Sequence, residues 1–102
     1  MSKYHARRTQ VDGHWFDSAK EAARYRALRL LEQAGAIHDL ELQPAYPMRV
    51  NGRLICTYRA DFRYVEDGRV LIVEDVKGVK TPVYRLKAKL LQALYGIEVR
   101  ET

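Results

Sequence analysis

Leu71-Ile72-Val73-Glu74-Asp75-Val76-Lys77-Gly78 decides how this chain is read. Val70–Val73 is apolar on both faces of an extended segment, which predicts a central strand. A strand this apolar does not run into two acids and a lysine unless it leaves the core there. Asp75 and Lys77 stand two residues apart, so in a strand both project from one face. Upstream, Tyr58-Arg59-Ala60-Asp61-Phe62 lies inside a longer alternation over Leu54–Val65. Leu54, Cys56, Tyr58, Ala60, Phe62 and Tyr64 share one face, with Arg59, Asp61 and Arg63 on the other. Glu66-Asp67-Gly68 is the turn between these two strands.

The register of that hairpin has two readings. A three-residue loop at 66–68 pairs Val65 with Arg69 and sets Asp61 opposite Val73, with Asp75 its diagonal neighbour on the same face. A two-residue loop at 67–68 sets Asp61 opposite Glu74 and turns Asp75 and Lys77 to the other face. Bringing both aspartates to one cation needs the first register, or a bulge that restores its parity. Carboxylates so placed suit Mg²⁺, which prefers hard oxygen ligands, polarises a phosphate and acidifies a bound water. An ammonium nearby orients that water or neutralises charge on phosphorus. Taken alone, an Asp…(Asp/Glu)-x-Lys pattern is short and common, and reads as a strand end whose charges face water.

The flanking elements are legible. Ser18 followed three residues later by Glu21 is a capping box, with Asp17 where the helix dipole favours negative charge. The helix should run to Ala34 and stop at Gly35. Ala23, Ala27, Leu28, Leu30, Leu31 and Ala34 form its expected apolar face, and Glu21 lies on the border, within about 20° of Leu28. Ile37–Val50, broken by Pro44 and Pro47, reads as an edge or bent strand. A second helix should open near Pro82 and close at Gly96, burying Val83, Leu86, Leu90, Ala93 and Leu94. Ile97–Arg100 makes a last short strand, and Asp12-Gly13 turns a small hairpin over residues 9–16. The main order is helix, three strands, helix, strand.

Bulk properties narrow the class. The 102 residues fit one domain, expected over 9–102 behind a basic tail at 1–8. A hydrophobic share of 47% with 30% charged residues is that of a globular chain, not a disordered one. No apolar run approaches the ~20 residues of a membrane span and no signal region opens the chain, so a cytoplasmic protein without membrane contact is expected. One cysteine, Cys56, is too few for a disulfide framework or a zinc site. Eighteen basic against thirteen acidic residues leave +5, unevenly placed. Lys77, Lys80, Arg85, Lys87 and Lys89 occur with no carboxylate between Asp75 and Glu98, and Lys3, His5, Arg7 and Arg8 form a second cluster. Two basic regions suggest a polyanionic partner, nucleic acid first.

Three stretches in order carry a family resemblance: Phe16-Asp17-Ser18-Ala19-Lys20-Glu21-Ala22, Leu40-Glu41-Leu42-Gln43-Pro44 and Val73–Gly78. With Tyr58–Phe62 they make the chain, over about residues 3–101, resemble the PD-(D/E)xK nuclease superfamily. Within it, the chain is most similar to small phage and prophage proteins described as endonucleases or Holliday-junction resolvases. The resemblance implies an α/β fold, the restriction-endonuclease-like α-β-β-β-α-β core, with a mixed central sheet flanked by helices. It matches Asp61 to the first acid, Asp75 to the second and Lys77 to the lysine. Glu21 corresponds to a helix glutamate that some members add to the metal shell, often through water. Ala60 stands where proline is usual, and Asp75 replaces the more usual glutamate, so the adjacent Glu74 competes for its role. Gln43 is a weaker candidate, a hydrogen bonder at a strand end.

The activity that the resemblance implies is that of a metal-dependent DNA endonuclease in phage or host recombination or repair. Mg²⁺, replaceable by Mn²⁺, would be held by Asp61, Asp75, the Val76 carbonyl and Glu21, with Lys77 positioning the water. Products would carry 5′-phosphate and 3′-hydroxyl ends. Arg7, Arg8, Lys80, Arg85, Lys87 and Lys89 would hold phosphates, which position DNA without reading its bases. So small a chain leaves no separate base-reading module, so selection by DNA shape, a branch or flap, is expected. A four-way junction would require a two-fold homodimer, and phage or host replication or recombination proteins are possible partners. The alternatives are a non-catalytic nucleic-acid-binding accessory protein of nuclease-like fold and, less favoured, an RNA-directed nuclease.

Overall fold

In the computed structural model, which describes residues 7–102, the chain forms a short hairpin, a helix, five strands, a second helix and a final short strand. The expected hairpin is present as β1 (Thr9–Val11) and β2 (His14–Phe16), closed by Asp12 and Gly13 at φ 52° and 79°. Both are left-handed, as a turn matching the twist of its strands requires. Of the expected N-terminal tail, Lys3 and His5 lie outside the described residues, while Arg7 and Arg8 are exposed.

Helix α1 (Ala19–Gln33) begins where the cap predicts: Ser18 Oγ accepts from the Glu21 N–H at 3.1 Å. It ends at Ala34, with Gly35 left-handed at φ 80°. The Gly35 and Ala36 N–H groups bond back to the carbonyls of Glu32 and Leu31, satisfying two orphan acceptors. Its apolar face needs correcting. Glu21, Ala22, Tyr25 and Leu28 are buried, whereas Ala23, Leu30, Leu31 and Ala34 are exposed and Ala27 is half-buried. Tyr25 sets the rotation, because its ring packs on Phe16 at 5.0 Å and its hydroxyl donates to Asp12 at 3.0 Å.

The two strand-like stretches after α1 each break into two. Ile37–Val50 becomes β3 (Ile37–Leu42) and β4 (Ala45–Val50); Leu54–Val65 becomes β5 (Arg53–Arg59) and β6 (Phe62–Glu66). They form one long antiparallel ladder bent at Gln43-Pro44 and Ala60-Asp61. The bend stays hydrogen-bonded, Gln43 N–H to the Asp61 carbonyl at 2.9 Å and Ala60 N–H to Pro44 at 3.1 Å. The single apolar face expected over 54–64 is therefore split. Tyr58 and Ala60 join Tyr46, Met48, Val73 and Leu91 in one core, and Phe62 and Tyr64 join Phe16, Tyr25, Leu28 and Ile72 in another.

β7 (Val70–Asp75) pairs antiparallel with β6, and β8 (Arg100–Glu101) pairs parallel with β7, giving the mixed sheet order β3-β6-β7-β8. Between β7 and β8 runs α2 (Pro82–Tyr95), capped by Thr81 and closed by left-handed Gly96. Because Ile72 lies in the α1 core and its neighbour Val73 in the α2 core, the helices cover opposite faces of the sheet.

Three expectations change here. The last strand is shorter than 97–100 and shifted, so β7 is interior only at Glu74 and Asp75, and Val70 and Leu71 are exposed. The face of α2 is rotated: Leu91 is buried and Tyr84 and Leu90 pack half-buried beside it, while Val83, Leu86, Ala93 and Leu94 face out. The register matches neither loop reading. Asp67 and Gly68 turn with φ 51° and 74°, and Arg69 stands as an extra residue, so Glu66 pairs with Val70 and Phe62 with Glu74. The added residue restores parity, and just beyond the last pair the Asp61 N–H meets the Asp75 carboxylate at 3.0 Å.

Candidate functional site

Three acids lie where α1 and β6 begin and β7 ends. Asp61 sits at the ladder's bend, Asp75 closes β7, and Glu21 lies in the first turn of α1. The two aspartates brace each other through the backbone. The Asp61 N–H donates to Asp75 Oδ1 at 3.0 Å, and the Val76 N–H donates to Asp61 Oδ2 at 2.8 Å. Asp75 Oδ2 also accepts from the buried Tyr58 hydroxyl and lies 3.4 Å from Lys77 Nζ. Lys77 is held over the Tyr84 ring at 3.8 Å, a cation–π contact that fixes the ammonium beside Asp75.

Electrostatics mark this cluster as short of positive charge. Burial, followed by Asp61 and Asp17, raises the Glu21 carboxyl to about 7. Burial also raises Asp61 and Asp75, against the pull of Lys77 on both. Glu74 behaves differently. Burial alone would raise it too, but hydrogen bonds from Arg24 and Tyr64 outweigh that and hold it below the usual carboxylate range. Its side chain is wholly buried and accepts from Arg24 Nε and Nη2 at 2.7 and 2.9 Å, from Tyr64 and from Thr102. Glu74 thus lies on the α1 face with its oxygens spent, and does not compete with Asp75.

The remaining candidates are spread more widely. Gln43 is exposed with φ 52°; its backbone N–H, rather than its side chain, touches the site by holding the Asp61 carbonyl. Lys80 pairs with Glu101 at 2.8 Å, Lys87 donates to the Thr57 carbonyl at 3.1 Å, and Arg8 lies over the Trp15 ring. Arg7, Arg85 and Lys89 are exposed and form no ion pair among the described residues. A cleft of about 290 Å³ opens on the Asp75 side of the site, lined by Tyr58, Arg59, Asp75, Lys77, Tyr84 and Lys87. A larger concavity of about 760 Å³, beside Asp12, Tyr25, Arg29 and Glu32, lies away from this cluster, with Tyr25 bonded to Asp12 and Arg29 to Glu32.

Sequence reasoning missed four residues that shape the site: Tyr58, Tyr84, Arg24 and Lys20, whose Nζ donates to the Lys77 carbonyl at 2.9 Å. The one available signal was Glu74 itself, an acid inside an apolar strand, which demands a buried cation such as Arg24.

Among the described residues no three His, Cys, Asp or Glu side chains are gathered closely enough to hold a metal ion as they stand. The donor set nonetheless suits a hard divalent cation. The Val76 carbonyl and Asp61 Oδ1 receive no hydrogen bond among the described residues, and Glu21 lies close enough to feel both aspartates.

Fold and site together define a small α/β protein in which Asp61, Asp75 and Lys77 meet at one end of a mixed sheet, near Glu21 at the start of α1. The chain belongs to the family described as "Protein of unknown function (DUF1064)", which it matches over residues 1–102. No curated protein and no solved structure matches it. Among the described residues no helix is long and apolar enough to cross a membrane.

Proposed function

We propose that this protein is a metal-dependent endonuclease acting on DNA. The observation that carries the reading is the convergence of Glu21, Asp61 and Asp75, all with raised carboxyls, beside a lysine held on Asp75. Burial raises each of these carboxyls, and a divalent cation bound beside them would favour their ionised forms. The sequence α1, β3, β6, β7, α2, β8 through the four-stranded sheet supports a restriction-endonuclease-like core, with β4 and β5 as an extension of the ladder.

Asp61 and Asp75, with the Val76 carbonyl, would hold Mg²⁺ or Mn²⁺, and Glu21 would reach it through water. The ion, when bound, supplies Lewis-acid polarisation of the scissile phosphate. Tyr58 and the Asp61 N–H orient Asp75, while Tyr84 orients Lys77. Lys77 then positions the attacking water and offsets charge developing on the phosphate. Arg59 and Lys87, in the adjoining cleft, would receive the phosphate backbone, with Arg85 and Lys89 further along α2. Hydrolysis would leave 5′-phosphate and 3′-hydroxyl ends. For a four-way junction the protein would act as a two-fold dimer.

The test incubates wild type and Lys77→Ala with linear, flapped and four-way DNA plus Mg²⁺. Wild type should cut at least one substrate, and Lys77→Ala should bind it without cutting. A second reading, a non-catalytic DNA-binding accessory, is favoured by the internal engagement of both Asp75 oxygens. Intact DNA in every wild-type lane, with binding retained, would establish that reading in place of the first.

A further inference from the structure

The β1–β2 hairpin presents the chain's only tryptophan away from the core. Trp15 is 53% exposed, whereas its neighbour Phe16 is buried. Alternation along a strand explains the pair: Phe16 turns inward and Trp15 outward. The Arg8 guanidinium lies 4.9 Å over the indole. The hairpin is not a loose arm. Its turn is clamped by the Tyr25–Asp12 hydrogen bond, and Phe16 packs against Tyr25 at 5.0 Å and Phe62 at 6.5 Å.

That packing ties the indole to the acid cluster. Phe62 follows Asp61 directly, and Asp17, two residues after Trp15, is close enough to raise both Asp61 and Glu21. Two residues of extended chain span at most about 7 Å, so Trp15 lies on the strand that leads directly into the start of α1, where Glu21 stands. An exposed, rigidly mounted aromatic with a guanidinium on one face is the surface on which an unpaired base stacks. Bases inside an intact duplex are already stacked on each other and cannot use it.

We infer that Trp15, with Arg8, is a stacking platform for an unpaired nucleobase next to the scissile phosphate. The preferred substrate is then DNA with a single-stranded segment entering the site, such as a flap or branch, rather than continuous duplex. This inference rests on the nuclease reading of the acid cluster but uses no step of its chemistry. On binding, the base takes the open side of the indole, and Arg8 turns toward the flanking phosphate.

The experiment follows Trp15 emission in metal-free protein with chelator present, so no cleavage is needed. Single-stranded and flapped DNA should quench the emission, and a blunt duplex of the same sequence should leave it unchanged. In anisotropy titrations Trp15→Ala should weaken flap binding by about 5- to 150-fold, with Trp15→Phe retaining most of it and blunt-duplex affinity unchanged. Trp15 is exposed, so these variants keep the fold. If a flap binds by anisotropy without quenching, or Trp15→Ala weakens flap and duplex equally, the platform is refuted while the nuclease reading stands. If no DNA binds at all, the platform is refuted, and cleavage with Mg²⁺ decides the nuclease reading separately.

Discussion

Replacing Glu21 by glutamine isolates the charge shortage at the acid cluster without any substrate. The Glu21 side chain is 6% exposed and its carboxyl is raised from 4.5 to about 7. A folded-state value above the unfolded one means that the folded protein holds the proton more tightly. The resulting stabilisation is fully present below about pH 4.5 and is lost as pH rises through about 7. At about 1.36 kcal/mol per pH unit the gap corresponds to about 3 kcal/mol, and residual water access reduces it to about 2 kcal/mol. For a chain of this size that is a shift on the order of 10 °C in Tm. The assay is thermal unfolding by circular dichroism in chelator across that range. Wild type should lose stability between about pH 5 and about pH 8, and Glu21→Gln should flatten the curve and melt higher at the alkaline end. Asp61 and Asp75, also raised by burial, are present in both proteins, so the difference between the two curves reports Glu21 together with its coupling to them. Mg²⁺ should stabilise wild type more at the alkaline end, where the ligand carboxylates are ionised. Wild-type and Glu21→Gln curves that run parallel across the range would refute the charge-shortage reasoning.

Other perturbations test the scaffold and the interface. Arg24→Ala strands the buried Glu74 carboxylate and should cost about 3–5 kcal/mol in urea unfolding, most of it recovered by adding Glu74→Gln. Leu91→Ala, at a fully buried position, should cost about 2–5 kcal/mol, whereas Leu86→Ala, at 67% exposure, should stay within about 0.5 kcal/mol. If Arg85 and Lys89 hold phosphates, replacing each by glutamine should reduce the salt dependence of DNA binding by about 0.9 log units per decade, measured by anisotropy.

Local signals were sufficient for the helix boundaries. Ser18, Gly35, Thr81 with Pro82, and Gly96 act through their own backbone geometry and their immediate hydrogen bonds, so both helices start and stop close to where composition places them. The Asp12-Gly13 hairpin is equally local. Helix rotation was not legible in this way. Counting aliphatic residues put Leu30, Leu31 and Ala34 of α1, and Val83, Leu86 and Leu94 of α2, against the core, yet all are exposed. In α1 the rotation follows Tyr25, which reaches both Phe16 and Asp12, and Arg24, which reaches Glu74. These partners lie 9 to 50 residues away in the chain, so no window of sequence contains the competition that decides the face.

From the sequence alone came the cast: two helices, a strand ending in Glu74-Asp75-Val76-Lys77, an acid at position 61 and a basic second helix. Tertiary structure alone decided which acids meet. The extra residue at Arg69 gives the ladder the parity that lets Asp61 meet Asp75, the bend at Ala60-Asp61 sets that acid beyond the ladder, and Arg24 neutralises Glu74 on the opposite face. The physical reason is that strand pairing is set one residue at a time and each slip exchanges the faces of every side chain. Residue identity can nominate a cluster, but only the closed ladder and the helices packed against it can assemble one.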